Sequence, residues 1–161
     1  CPVLTLYADN LDETTIPKIT PRRGARGVIV VNGEVLLIHL KEINTYTLPG
    51  GGIEAGESPY EALVREIKEE TGFTVSSARK TLVLKEHFPD SIWHHHFFKV
   101  AVDTSKKKSA LSLTGMEKGY GHAPLFKPID EALKTLTENK STHPHGANIQ
   151  NRELLGLIHS V

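Results

Sequence analysis

The segment that decides the fold covers residues 51–73 and reads GGIEAGESPYEALVREIKEETGF. Ser58 is a favourable N-cap, and a glutamate follows it three positions later, which is the arrangement of a capping box. Pro59 suits the first helical position, and Gly72 stands where a glycine commonly ends a helix. The sequence therefore predicts a helix over residues 59–71.

Three glutamates of this helix, Glu66, Glu69 and Glu70, are spaced so that they fall on one side of it. Like charges at this spacing destabilise a helix by about 0.2–0.5 kcal/mol per pair, and the helix dipole also opposes negative charge in the C-terminal half. We therefore expect a positive partner. A hard divalent cation held by carboxylate oxygens is one such partner, and a merely solvated acidic face is the alternative.

The residues before this helix predict a glycine loop and a β-hairpin. Gly50 to Gly52 are three successive glycines, which indicate a loop that bends sharply or approaches another group closely. Upstream, the β-rich runs over residues 27–31 and 35–39 are joined by Asn32-Gly33, the dipeptide that a type I′ turn favours. We expect the hairpin to lead into the loop.

The residues after the helix predict more sheet and two further helices. Strands are expected over residues 81–88 and 93–103, and residues 104–124 have the composition of a long exposed connection. The apolar spacing predicts one helix that begins near Asp130 and a last one over about residues 148–159. The chain is therefore expected to contain both strands and helices.

Length and charge limit the function classes. A chain of 161 residues predicts one domain over residues 25–161, preceded by an extended arm over residues 1–24. Lys and Arg total 19 and Asp and Glu total 19, which argues against nucleic-acid or membrane binding by bulk positive charge. Because Cys1 is the one cysteine and the start of the chain lacks signal-peptide character, we expect a cytoplasmic protein.

The spacing of the whole segment resembles the signature of the MutT-like Nudix hydrolases. Gly51 is followed after five residues by Glu57 and after seven more by Arg65-Glu66-Ile67, any residue, Glu69-Glu70, any residue, and Gly72-Phe73. Every fixed position of that signature is filled. The resemblance extends over about residues 25–137 and implies a Nudix-type α/β/α sandwich around a mixed β-sheet.

The resemblance also implies a metal site. Its main ligands would be Glu66, Glu69 and Glu70, which would hold Mg²⁺, for which Mn²⁺ can substitute. Further ligands would be Glu57 and one backbone carbonyl, that of Gly50 or Gly51. The three main ligands and Arg65 would be the catalytic residues. The role of Arg65 would be to orient a carboxylate.

The activity implied is Mg²⁺-dependent hydrolysis of a diphosphate bond in a nucleoside diphosphate linked to another moiety. A bound metal lowers the pKa of a water molecule, and a carboxylate then accepts the proton. Glu66 is one candidate for this base, and Glu117 in the 104–124 connection is the other, because family members differ in the residue that they use.

The sequence leaves the substrate open. Arg23, His96 and Trp93 are candidate substrate-binding residues, although aromatic side chains more often belong to the core. Pro89 follows Phe73 by 16 residues, a spacing typical of the ADP-ribose branch of the family. A nucleoside triphosphate or another nucleotide sugar is the alternative substrate.

Two other functions compete with hydrolysis. A non-catalytic Nudix-fold sensor would bind a nucleotide and regulate a partner, but such proteins normally have a degraded signature or an attached DNA-binding domain. An isomerase on the same fold would need cysteine chemistry. We expect a small-molecule nucleotide derivative as the ligand and a monomer or homodimer as the assembly.

Overall fold

A computed structural model of the chain describes residues 1–8, 11–15, 18–106 and 119–161. In these parts of the chain there are eight β-strands and three α-helices, with a short 3₁₀-helix over Lys41–Ile43. No helix among the described residues is long and apolar enough to cross a membrane.

Helix α1 spans Pro59–Thr71, as predicted, and both of its ends are capped by local hydrogen bonds. The backbone N–H of Glu61 donates to Ser58 Oγ, and the backbone N–H of Ser58 donates to Glu61 Oε1, each at 3.1 Å. Gly72 ends the helix with a φ of 77° and donates its N–H to the carbonyl of Lys68. The capping box and the glycine stop therefore do what their sequence pattern predicts.

The predicted hairpin is also confirmed. Strand β2 spans Arg22–Val31 and strand β3 spans Glu34–Leu40, and the two pair antiparallel. Asn32 and Gly33 between them have φ values of 52° and 79°. Positive φ at both central residues is what a type I′ turn requires.

The remaining elements follow in chain order. Strand β1 precedes the hairpin, β4 and β5 lie between the hairpin and α1, and β6 to β8, α2 and α3 follow α1. Their bounds are Val3–Tyr7 for β1, Thr45–Thr47 for β4, Gly50–Gly52 for β5, Val75–His87 for β6, Ile92–Val102 for β7, His122–Pro128 for β8, Ile129–Glu138 for α2 and Gly146–Ser160 for α3. Strand β8 begins within the predicted 104–124 connection.

The strands form one mixed sheet in the order β1-β6-β7-β2-β3-β4, with β5 beside β2 and β8 beside β3. Strand β1 runs parallel to β6, and β7 runs parallel to β2, whereas the β6–β7, β2–β3 and β3–β8 pairs are antiparallel. Strand β2 is central because it carries β7, β3 and β5 as partners.

Each face of the sheet carries its own apolar core. On one face, Leu63 and Ile67 of α1 pack with Ile29. On the other face, residues of α2 and α3 pack with Phe97 and the facing residues of the strands. The result is an α/β/α sandwich around a mixed sheet, as predicted.

Part of the segment predicted as an arm is paired in the sheet. Strand β1 bonds to β6 from Val3 to Tyr7, and β2 already begins at Arg22. The division into an arm over residues 1–24 and a domain over residues 25–161 stays a prediction.

Candidate active site

Two buried glutamates of α1 line a cleft. Glu66 is 8% exposed and Glu70 is 6% exposed. The backbone N–H of Gly50, in β5, donates to Glu70 Oε2 at 2.7 Å. Strand β5 is held in place by antiparallel pairing with β2, so the glycine segment and the helix meet at a defined position.

Gly51 lies against the carboxylate of Glu66. A Cβ at position 51 would come within 2.7 Å of the three carboxyl atoms of Glu66. At Gly50 the φ of 149° is one that L side chains rarely adopt, and a Cβ there would lie 2.1 Å from the carbonyl oxygen of Ala25. These two glycines therefore allow the close approach that the sequence pattern indicated.

Arg65 joins three carboxylates. Its Nε donates to Glu57 Oε2 at 2.8 Å, and its Nη1 donates to Glu66 Oε1 at 2.9 Å and to Glu69 Oε2 at 3.3 Å. Its Nη2 donates to Glu57 Oε1 at 2.8 Å and to the carbonyl of Gly52 at 3.0 Å. The guanidinium of Arg65 therefore connects Glu57, in the loop before α1, with Glu66 and Glu69 of α1.

These contacts change the acidity of the groups involved. The hydrogen bonds from Arg65 lower the pKa of Glu57 to about 2. The same hydrogen bonds, with a contribution from Glu66, raise the pKa of Arg65. Glu57 is therefore ionised at neutral pH and available as an anionic ligand.

The donor set suits a hard divalent cation, because its members are carboxylate oxygens. The missing Cβ of Gly51 leaves open the space that adjoins the Glu66 carboxylate. In the arrangement described here, no group of three or more His, Cys, Asp or Glu among the described residues is positioned to hold a metal. The carboxylates of Glu57, Glu66 and Glu69 instead contact Arg65.

The cleft lined by Glu66 and Glu70 has a volume of about 500 Å³. This is within the range of about 300–1,000 Å³ that is usual for small-molecule sites. Its further walls include one tryptophan, one tyrosine, two histidines and two arginines, which are Trp93, Tyr120, His122, His143, Arg26 and Arg152. A ligand in the cleft would therefore meet carboxylates, rings and guanidinium groups.

The structure brings one of the three predicted substrate-binding residues to this cleft. Trp93 lines it, stacked on the ring of His95 at 5.6 Å between centroids. Arg23 and His96 are not among the described residues that line the cleft. Side chains alternate along β7, so that Trp93 and His96 point to opposite faces of the sheet. Arg23, in β2, pairs with His94, which shares the face of His96. Glu117 lies outside the described residues.

The sequence did not predict one cluster of charged residues, which consists of Arg26, Arg152 and Glu153. Arg26 Nε, in β2, lies 3.2 Å from Glu153 Oε1, and Arg152 Nη2 lies 3.3 Å from the same oxygen. Glu153 is fully buried. The sequence did contain a signal for this cluster, because the charged pair Arg152-Glu153 lies between Ile149 and Leu154, two apolar positions of the predicted last helix.

Comparisons with known proteins agree on one family. A family model of the NUDIX domain matches residues 21–142. YjhB of Bacillus subtilis, provisionally named an ADP-ribose pyrophosphatase, is 31% identical over 126 residues, which are 76% of this chain and 57% of YjhB. A second Bacillus subtilis protein, provisionally named an 8-oxo-dGTP diphosphatase, is 35% identical over 103 residues, which are 62% of this chain and 68% of that protein. The chain therefore spans only part of the length of these relatives.

A solved structure shows the same fold. The crystal structure of a MutT NUDIX hydrolase from Burkholderia pseudomallei superposes with a TM-score of 0.60 at 21% identity, over 89% of this chain and 100% of that chain. The family match covers more than half of the chain, and three signature residues, Gly51, Glu66 and Glu70, line the cleft. The chain belongs to the Nudix hydrolase family.

Proposed function

We propose that the protein hydrolyses a diphosphate bond in a nucleoside diphosphate linked to another moiety. The observation that carries this proposal is the meeting of Glu66 and Glu70 with the backbone of Gly50 and Gly51 in the wall of a ligand-sized cleft. Because the two glycines have no side chains, the space beside the carboxylates has room for a diphosphate and its counter-ion.

We propose Mg²⁺ as the cofactor, held by Glu66, Glu69 and Glu70, with Glu57 and a backbone carbonyl of Gly50 or Gly51 as further ligands. Mn²⁺ would substitute for it. When bound, the metal neutralises charge on the diphosphate and makes a bound water more acidic.

The chain's own residues orient the reaction. Arg65 is a positioning residue, since it contacts the carboxylates of Glu57, Glu66 and Glu69 and restricts their rotamers. Glu66, buried beside Gly51, would accept the proton from the attacking water. Glu117 is the alternative base. Trp93 and Tyr120 would exclude water from the side of the cleft that takes the ring of the substrate.

ADP-ribose is the first substrate to test. Pro89 has the spacing typical of the ADP-ribose branch, and YjhB is provisionally named for that activity. The second relative's name makes an oxidised or unmodified purine nucleoside triphosphate the next candidate. We propose that the enzyme works in the cytoplasm on such small molecules, as a monomer or homodimer.

The test is a phosphate-release screen with Mg²⁺ across nucleoside triphosphates, nucleotide sugars, dinucleotides and dinucleoside polyphosphates. We expect Glu70→Gln to lower turnover by about 10²-fold, because it removes one charge from the set that compensates the transition state. Glu131→Gln in α2 is the matched control, since Glu131 is exposed on the opposite side of the sheet from α1.

A calorimetric titration of both variants with Mg²⁺ separates metal binding from catalysis. Weaker Mg²⁺ binding in Glu70→Gln than in the control supports the ligand assignment. Equal turnover in wild type and Glu70→Gln contradicts it. Tight binding of one diphosphate without any hydrolysis supports the sensor alternative.

A further inference from the structure

Trp93, the one tryptophan of the chain, lines two open spaces. One is the cleft, and the other is a second cavity of about 700 Å³, which we call the lateral cavity. Phe88 and Pro89 are among the other walls of the lateral cavity. Because both spaces adjoin this half-buried side chain, close packing alone leaves the indole room to turn.

The ring of His95 supports the indole. Trp93, His95 and Phe97 lie on the same face of β7, because side chains alternate along a strand. The rings of Trp93 and His95 are nearly parallel, with 4° between their planes and 5.6 Å between their centroids. On the other side in sequence, the ring centroid of the fully buried Phe97 lies 6.5 Å from that of His95. His95 therefore connects the indole with the core of the protein.

Glu86 of β6 fixes the orientation of the His95 ring. Its Oε1 lies 3.0 Å from His95 Nε2, which is a hydrogen-bond distance. Glu86 is 5% exposed and His95 is 2% exposed, so that water does not compete for this hydrogen bond. The carboxyl group thus holds the ring on which the indole of Trp93 stacks.

Burial of this polar pair is unfavourable by itself. Burial raises the pKa of Glu86, against the opposing effect of Arg152, and burial lowers the pKa of His95 well below its usual value. Two apolar side chains of similar volume would fill the same space without this penalty. A buried hydrogen bond, unlike an apolar contact, favours one orientation of the groups that it joins. The pair therefore supplies orientation to the ring beneath Trp93.

Arg22 also contacts the indole, with its Cζ 5.6 Å from the ring centroid. Arg22 is exposed, and a cation–π contact in water is weak. The buried pair is therefore the stronger constraint on the position of Trp93.

We propose that Glu86 and His95 are positioning residues, which hold Trp93 as the wall against which the base of a nucleotide packs in the cleft. This inference rests on the proposed function, because it takes the cleft as the nucleotide site. A fixed indole favours the binding of a ligand that carries a base and leaves the chemistry at the glutamates unchanged. Loss of the pair should therefore weaken binding and spare the chemical step.

Two ligands that differ in the base test this wall. AMP and ribose 5-phosphate share the sugar and the phosphate, and neither has a diphosphate bond that could be hydrolysed. In calorimetry we expect Glu86→Leu to raise Kd for AMP about 10-fold, within the range that the stacking of one base contributes. Kd for ribose 5-phosphate should change less than about 2-fold, because this ligand has no base for Trp93 to contact. Glu86→Gln can still form a hydrogen bond to His95 and should bind AMP as the wild type does.

The fluorescence of Trp93 tests the same wall without a ligand. Because the chain has one tryptophan, time-resolved fluorescence anisotropy measures the mobility of this indole alone. We expect its nanosecond motion to be small in the wild type and larger in Glu86→Leu and in His95→Leu. Thr81→Val is the matched control, since Thr81 is a buried polar residue of β6 whose hydroxyl lies 2.6 Å from Ser160 Oγ. The control should keep the wild-type anisotropy and the wild-type Kd for AMP.

Each outcome decides the proposal. A selective loss of AMP affinity together with a more mobile indole, both restored in Glu86→Gln, supports it. Unchanged AMP affinity, an equal change for both ligands, or a Glu86→Gln variant that behaves like Glu86→Leu overturns it. If neither leucine variant folds, the wild type decides, because a freely mobile indole, or fluorescence of Trp93 that AMP does not change, overturns the proposal.

The two proposals fail separately. Failure to hydrolyse any diphosphate in the screen contradicts the proposed function, whereas the measurements with AMP still test the wall. With an active enzyme, we expect Glu86→Leu to raise KM about 10-fold and to change kcat less than about 2-fold. Hydrolysis with an unchanged KM in this variant contradicts only the role of Glu86 and His95.

Discussion

Gly51 is the residue at which backbone geometry acts most directly on the proposed chemistry. We expect Gly51→Ala to lower kcat by about 10²-fold, because a Cβ 2.7 Å from the Glu66 carboxylate displaces it by a distance that catalysis does not tolerate. Gly52→Ala is the matched control, since nothing lies within 4 Å of a Cβ there. Equal losses in the two variants would show that the contact between Gly51 and Glu66 does not matter.

Arg65 acts on the carboxylates and has no proposed contact with substrate. We expect Arg65→Lys to lower kcat by about 10-fold or more with little change in KM, because one ammonium group cannot reproduce the fork that joins three side chains. Steady-state kinetics on the best substrate of the screen measure both constants. An effect confined to KM would place Arg65 on the substrate.

The burial of His96 makes the free energy of unfolding depend on pH. Burial lowers its pKa from 6.5 to about 4, with further lowering by Lys80, Arg23 and His94. Because the unfolded chain binds a proton at higher pH than the folded chain does, this residue lowers the free energy of unfolding as the pH falls from 6.5 to about 4.

We therefore expect His96→Gln to lose less stability than wild type over that interval. Urea unfolding at several pH values gives the two curves. Their slopes should differ between pH 6.5 and about 4 and agree above pH 6.5, where the histidine is neutral in both states. Parallel curves throughout the interval would contradict the assignment.

Helix α3 packs closely against the sheet at Gly156. A Cβ at this position would come within 2.3 Å of the ring atoms Cδ1 and Cε1 of Phe97, which is fully buried. We expect Gly156→Ala to lower the free energy of unfolding by about 1–3 kcal/mol, because the overpacking exceeds the gain in helix propensity.

The measurement is chemical denaturation, and Asn151→Ala, at an exposed site of the same helix, is the control. The control should be neutral or stabilising, since alanine has the higher helix propensity. A Gly156→Ala variant as stable as the control would mean that α3 can shift away from Phe97 without cost.

Glu153 of α3 contacts a distant part of the chain, because its Oε1 lies near Arg26 of β2 as well as near the neighbouring Arg152. We expect Glu153→Gln to destabilise the protein by about 3 kcal/mol, since it removes the carboxylate that two largely buried guanidinium groups contact. Urea unfolding measures this, with Glu131→Gln as the exposed control.

The double variant Glu153→Gln with Arg152→Met checks the physical cause. It should be more stable than the sum of the two single effects predicts, because the second change removes one of the uncompensated charges. Strict additivity would show that the two residues do not interact through charge.

The sequence by itself determined α1, the β2–β3 hairpin and the set of glutamates, because each depends on contacts within a few residues. Ser58 caps a helix three residues away, and Asn32-Gly33 selects its own turn. The spacing of Glu66, Glu69 and Glu70 places them on one side of a helix wherever that helix packs. Local chemistry was therefore enough to predict these elements, and the resemblance that the signature residues carry implied the fold class.

Only the tertiary structure decided which of these groups are buried and what faces them across the cleft. Arg26 and Glu153 are more than a hundred residues apart in the chain, and it is Arg22, not Arg23, that stands opposite Trp93 in the neighbouring strand, by one register among several. Such contacts depend on how the strands pair and where α3 packs on the sheet. No spacing within one segment encodes such contacts. For that reason Arg23 and His96 were predicted to bind substrate although they do not line the cleft, whereas Arg26 and Arg152, which line it, were not predicted.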